Sequence, residues 1–174
     1  AMFGTNHSGI FLAWSKEIAG EYSLVAPLVT TGGHWGSAPN AIDPQIFFDG
    51  EKMYMTYGSF FGGIRLLELD AVSGLRKEGF TFEDFRTGKI SARQYYGERL
   101  LGADDAEGSV AAFSENVPVY PRFPFGAAVP APQYKNFYYL MASRGSLFRD
   151  YNMRVWRSES LGGFEGAGYG RAGK

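Results

Sequence analysis

Apolar and polar positions alternate along much of this chain with the two-residue period of half-buried β-strands. Gln45–Phe48 and Lys52–Gly58 are two such runs, joined by Asp49-Gly50. Asp-Gly between two apolar runs is a strong hairpin signal. Phe60-Phe61 and Gly62-Gly63 then lead into Ile64–Leu69, so Asp43–Asp70 predicts three consecutive antiparallel strands. Phe137–Ser143 and Asn152–Arg157 predict a further pair. No segment sustains a 3.6-residue stripe, and Glu17–Ala19 and Ala71–Ser73 read as turns.

The pattern repeats. "SGIFLAWSKEIAG" (Ser8–Gly20), "GGIRLLELDAVSG" (Gly62–Gly74) and "YNMRVWRSESLGG" (Tyr151–Gly163) superpose without a gap. Each has an apolar residue (Ile10, Ile64, Met153), a second two further on (Leu12, Leu66, Val155) and a glycine ten after the first. Upstream, "PQIFFDGEKMYMTYGS" (Pro44–Ser59) resembles "PQYKNFYYLMASRGS" (Pro132–Ser146), with one residue less in the hairpin. The unit is a strand, a hairpin, an aromatic strand ending near Gly-Ser, then a strand and a glycine turn. That is most of a four-stranded propeller blade.

The spacing is uneven: 54 residues separate Ile10 from Ile64 and 89 separate Ile64 from Met153. The excess lies in Phe80–Pro132, rich in Gly, Pro and Ala. Ala103–Pro132 reads as a long loop or insertion. Blades of roughly 40–50 residues make this 174-residue chain about three blades of one partial domain.

Aromatic residues are 17% of the chain and glycine accounts for 24 positions, both expected of aromatic strands punctuated by turns. Exposed aromatic rings also serve as floors for sugar rings. Net charge is −1 with no long charged run, which excludes nucleic acid and an anionic membrane as main partners. There is no cysteine, hence no disulfide and no thiolate chemistry. No apolar run reaches the ~18–20 residues of a membrane span, and no basic-then-apolar leader opens the sequence; secreted and cytoplasmic locations both stay open. No Gly-x-Ser-x-Gly elbow accompanies a serine, and no Gly-Lys-Ser/Thr follows the glycine-rich runs.

"NAIDPQIFFDGEKMYMTYGSFFGGIRLLELDAVSG" (Asn40–Gly74) resembles the third-blade region of arabinanases of glycoside hydrolase family 43. "DYNMRVWRSES" (Asp150–Ser160) resembles that family's next blade, and "FGTNHSGIFLAWSKEIAGEY" (Phe3–Tyr22) the outer strands of the preceding one. The resemblance implies a five-bladed all-β propeller with its site at the axis. It also implies inverting hydrolysis of α-1,5-linked arabinan by three acids: a base Asp, a pKa-tuning Asp and a general-acid Glu. Asp43 matches the tuning Asp. An inverting enzyme needs one carboxylic acid and one carboxylate roughly 6.5–9.5 Å apart. A third negative charge nearby keeps the acid protonated.

The chain begins after the place of the base Asp. The acid is expected in a Glu-Ala-Pro or Glu-Gly-Pro run shortly before the aromatic strand. There the sequence reads "AAVPAPQYKNFYYL", with Pro130 in the Glu position. Glu107, in "AEGSV", is followed by glycine as in the motif but lies some thirty residues before Tyr138; Glu115 has the same problem. Trp35, Asn40, Ile42, Ser59 and Phe60 are expected to line a sugar cleft, and Arg154 to pair with a carboxylate. Each has a plainer reading: a turn or strand cap for Asp43, an Asx-turn for Asn40, core or sheet packing for Trp35, Ser59 and Phe60, a solvated strand arginine for Arg154. The resemblance also admits a Ca2+ ion, whose histidine ligand belongs to a fifth blade; neither His7 nor His34 matches it. Two rival readings are a carbohydrate-binding or structural propeller fragment without catalysis, and a relative acting on xylosides or arabinofuranosides. In any of them the open strand edges invite self-association.

Overall fold

The computed structural model describes residues 7–32, 38–59, 62–102, 108–119, 133–145, 148–162 and 164. These build an all-β protein with two short helices. In chain order the elements are β1 (Gly9–Trp14), β2 (Ser23–Thr30), β3 (Gln45–Asp49), β4 (Lys52–Tyr57), β5 (Ile64–Leu69), α1 (Phe82–Arg86), α2 (Ala92–Tyr96), β6 (Glu98–Leu101), β7 (Gly108–Val119), β8 (Gln133–Arg144) and β9 (Asn152–Ser158). They form three antiparallel sheets ordered β1-β2, β3-β4-β5-β6 and β7-β8-β9. A four-stranded antiparallel meander is the blade of a propeller. Among the described residues the middle sheet has the four strands of a whole blade, and its neighbours have two and three.

The period-two alternation sorts the middle sheet's side chains onto two faces. Met53 and Met55 pair with Leu69 and Leu67 across β4 and β5. With Tyr57 they face the β1-β2 sheet and meet Ile10, Leu28 and Val29 in one core. Thr56 pairs with Leu66 and Phe47 with Tyr54. That second face, with Leu100 and Leu101, packs against Leu140, Ala142 and Trp156. Full burial of an aliphatic side chain such as Met55 or Leu140 contributes about 2 kcal/mol. β3 and β7, the first strands of their sheets, lie side by side, as inner strands of adjacent blades do.

The excursion between β5 and β6 ties the first two sheets together. Arg76, buried at 6% exposure, donates to the carbonyls of Leu28 (3.2 Å), Tyr95 (2.7 Å) and Gln94 (3.1 Å). Its guanidinium also lies 5.0 Å from the Tyr95 ring centroid. The Tyr95 hydroxyl accepts from the Thr30 amide at 3.0 Å.

The structure differs from the sequence expectation in two places. The loop expected over Ala103–Pro132 contains a strand: β7 pairs with β8 from Gly108↔Ser143 to Val119↔Gln133. Ser, Glu, Asn and Pro dilute its alternation, so long-range pairing with β8 decides its state, a tertiary effect that local pattern does not carry. The two helices were also not predicted, because five residues are too few to show a stripe. Among the described residues no helix is long and apolar enough to cross a membrane.

Candidate functional site

The stretch from Pro39 to Pro44 has no regular structure and feeds directly into β3. Pro39 is fully buried, and Gly62 lies so close that a Cβ there would stand 2.6 Å from it. Ala41 is 1% exposed and its N–H donates to the Ser8 hydroxyl at 2.8 Å. The Ile42 carbonyl accepts from the Gly58 N–H at 3.0 Å. Gly58 has φ +120°, and a Cβ there would collide with the Gly63 carbonyl oxygen, so a side chain at this position is excluded twice over.

Asp43 is the residue this framework presents. Its φ is +52°, and it is the one non-glycine residue with positive φ among those described. The left-handed region is sparsely used by residues with a Cβ, though Asp and Asn tolerate it better than most. Such strain persists where the surroundings impose it, and it clusters at functional sites. The carboxylate itself is open to solvent, yet the protein around it removes enough water to raise its pKa above the ordinary 3.8.

The other expected site residues separate. Asn40 is half-buried beside Ala41, and Ile42 is 37% exposed next to Asp43, so both stand at the loop's surface. Ser59 is 3% exposed, packed rather than open to a cleft in the described residues. Arg154, opposite Ala142, lies half-buried on the face of β9 that carries Trp156, toward the second core. Trp35, Phe60 and Glu107 lie outside the described residues. Beneath the loop, Tyr57 is buried and donates to the Tyr96 carbonyl at 2.7 Å; burial raises its pKa and keeps it a neutral donor. A cavity of about 600 Å³ lined by His7, Thr31, Ala38, Phe82, Arg86 and Tyr96 adjoins the loop. Among the described residues no group of three or more His, Cys, Asp or Glu side chains stands together as a candidate cation site.

A loop ahead of an inner strand that holds one partly desolvated aspartate in a left-handed backbone, in an Asn-Ala-Ile-Asp-Pro sequence, can be matched to known proteins. The chain is similar to endo-arabinanases. It is 32% identical over 180 residues to the extracellular endo-α-(1→5)-L-arabinanase of Thermotoga petrophila, an alignment covering 92% of this chain and 31% of that protein. It is 33% identical over 130 residues to extracellular endo-α-(1→5)-L-arabinanase 2 of Bacillus subtilis, covering 72% and 21%. The solved Thermotoga petrophila endo-1,5-α-L-arabinanase superposes with a TM-score of 0.60 at 32% identity, covering 94% of this chain and 35% of that one. A glycoside hydrolase family 43 protein from Bacillus licheniformis superposes at 0.57 and 28% identity, covering 89% and 31%. No protein-family model matches. The chain spans 31% and 21% of the length of these two curated relatives.

Sequence reasoning missed Ser8, Thr31, Arg76 and Tyr95, the polar side chains that hold the loop and its supporting excursion. Ser8 opens the first repeated segment and stands immediately before β1. Nothing local to Thr31 or Arg76 marks what they contact, since Ser8 lies 23 residues from Thr31 and the partners of Arg76 lie 18, 19 and 48 residues away.

Proposed function

We propose that this chain is the part of an arabinan-cleaving glycoside hydrolase that carries the pKa-tuning aspartate, Asp43. The observation that carries the reading is Asp43 itself: a carboxylate held in a left-handed backbone ahead of β3, within a sequence 32% identical to an endo-arabinanase over 92% of the chain. In inverting hydrolysis one carboxylic acid protonates the leaving oxygen while a carboxylate activates water on the far side of the ring. Asp43 serves neither step directly. Its negative charge raises the pKa of the acid and holds that proton in place until the glycosidic oxygen takes it.

Glu107 is the acid in this reading, and the pairing of β7 with β8 supports it. Gly108, the residue after Glu107, lies opposite Ser143, next to the Arg144 end of β8. Gly58-Ser59 occupies the same place in the middle sheet, where Asp43 precedes β3. The separation of some thirty residues from Tyr138 is therefore the length of an extended hairpin, not an obstacle to the match. Asn40 and Ile42 flank the cleft, Trp35 and Phe60 offer apolar faces to sugar rings, and arabinan is the substrate. Pro130, standing where the resemblance expects the general-acid glutamate, favours a second reading, binding of the polysaccharide without cleavage. Association of the chain through its open faces belongs to both.

The test is reducing-sugar release from linear arabinan by the chain, by Asp43→Asn and by Glu107→Gln, with arabinan retardation in native gels alongside. Hydrolysis abolished in both variants supports the catalytic reading. Retardation without hydrolysis in the unaltered chain supports the binding reading. Neither hydrolysis nor retardation overturns both.

A further inference from the structure

The Asp43 loop is not held by its own sheet alone. One anchor is local: the Gly58 N–H on the Ile42 carbonyl at 3.0 Å. The other crosses to the β1-β2 sheet, where the Ala41 N–H reaches the Ser8 hydroxyl at 2.8 Å. That hydroxyl is fixed in turn. Ser8 Oγ and Thr31 Oγ1 are 3.1 Å apart. The Ser8 N–H donates to Thr31 Oγ1 at 2.9 Å, the Thr31 N–H donates to the Ser8 carbonyl at 2.9 Å, and Thr31 Oγ1 donates to the same carbonyl at 3.3 Å.

A count of protons orders this cluster. Each hydroxyl has one proton to give. If Thr31 gives its proton to the Ser8 carbonyl, Ser8 must give its own to Thr31 Oγ1. Ser8 Oγ is then left to accept the Ala41 amide. In that order the bonds run from the Ala41 N–H to Ser8 Oγ–H, to Thr31 Oγ1–H and on to the Ser8 carbonyl. Thr31 is 6% exposed and Ala41 1%, so water competes poorly for these groups, and a lost partner leaves a buried polar group unsatisfied.

We infer that Ser8 and Thr31 are positioning residues for Asp43. Their hydroxyls, on the neighbouring sheet, fix the amide two residues before it and so set where its carboxylate stands. This rests on the reading of Asp43 as the tuning carboxylate. The clasp enforces the left-handed backbone at Asp43 against its intrinsic cost. It also couples the carboxylate's place to the seating of one blade on the next. Thr30, the adjacent residue, meets the Tyr95 hydroxyl with its own side chain at 3.1 Å. Successive threonines thus tie β2 to the Asp43 loop on one side and to α2 on the other.

The test follows the carboxyl resonance of Asp43 by 13C NMR in protein labelled at aspartate, assigned as the signal missing from Asp43→Asn. Ser8→Ala and Thr31→Val are compared with Ser8→Thr, which keeps the hydroxyl. In the first two, the Asp43 midpoint is expected to move down toward 3.8 as the loop relaxes into water, and the Ala41 amide to exchange faster. The Asp70 midpoint, set by its own turn with Ser73, stays put and shows that the fold is intact. Ser8→Thr restores the unaltered values. An Asp43 midpoint unmoved in both Ser8→Ala and Thr31→Val overturns the inference, because the clasp would then be structural only. This readout needs no turnover. Failure of Asp43 as a site residue shows instead in the arabinan assay of Asp43→Asn, independently of the titration.

Discussion

Asp43 combines two costs that an ordinary turn residue avoids, a left-handed backbone and a partly desolvated charge. The sign of the second is testable. A carboxyl whose pKa is raised on folding binds its proton more tightly in the folded state. Its contribution to stability is complete below the unfolded value of about 3.8 and is lost as pH rises through the folded value. At neutral pH the ionised group therefore opposes folding. Asn keeps the side chain's shape, carries no charge and tolerates positive φ. Asp43→Asn is expected to raise the melting temperature at pH 7, with the gain shrinking to nothing below about pH 3.8. Thermal melts of both proteins from pH 3 to 8 check this, and a lower melting temperature for the variant at pH 7 would refute it. The Asn-Ala-Ile-Asp-Pro run was readable as a candidate site through its resemblance to the third-blade run of the arabinanases; the carboxylate before proline taken alone reads equally well as a turn. Ser8 and Thr31 were not, because a hydroxyl's partner is set by the fold and leaves no local trace.

At the scale of elements, the strands with clean alternation and a turn residue between them were legible. β3, β4 and β5 fall where Gln45–Phe48, Lys52–Gly58 and Ile64–Leu69 predicted them, within a residue or two. The excursion after β5 was opaque for a different reason: its helices are held by caps and tertiary contacts, not by an amphipathic stripe. Their capping boxes, Thr81 with Asp84 and Ser91 with Gln94, are present in the sequence as Ser/Thr followed three residues later by an acceptor. In α2 the Ser91 hydroxyl accepts the Gln94 N–H at 3.2 Å, and Gln94 accepts the Ser91 N–H at 3.0 Å. This short helix carries Tyr95 and Tyr96, 2% and 3% exposed, into the first core, where Phe85 stacks on Tyr95 with centroids 5.4 Å apart. Loss of the cap should loosen that aromatic cluster. Ser91→Ala is expected to cost about 1 kcal/mol in urea-induced unfolding, and Ser91→Asp, which keeps an N-cap acceptor, to cost much less. Equal losses in the two variants would mean that the cap does not hold the helix.

At the scale of the whole molecule, the internal repeat specified which strand is which. β1, β5 and β9 carry the three superposable segments, and β5 is third in its four-stranded sheet. By the same register β1 is a third strand, without counterparts of β3 and β4 beside it among the described residues. The consequence appears on the middle sheet. Ile46 and Phe48 pair with Met55 and Met53 and so face the same way. Yet the two Met residues are 0% and 9% exposed, while Ile46 and Phe48 are 43% and 58% exposed. The two-stranded sheet covers β4 and β5 and stops short of β3. On the opposite end of the stack, Met153 and Val155 stand 55% and 42% exposed on the outer face of β9. Uncovered apolar residues beside a strand edge that is unpaired among the described residues are a template for association. The chain is expected to sediment above its 19.2 kDa monomer mass, increasingly so with concentration. Ile46→Lys with Phe48→Glu should return it to the monomer, because a charge cannot enter a dry interface without a partner. Both positions are solvent-exposed, so the pair should leave the far-ultraviolet spectrum and the urea midpoint nearly unchanged. A single 19.2 kDa species at every concentration of the unaltered chain would show instead that the exposed face is tolerated in water. An association that persists in the double variant would move the contact to the Met153–Val155 face.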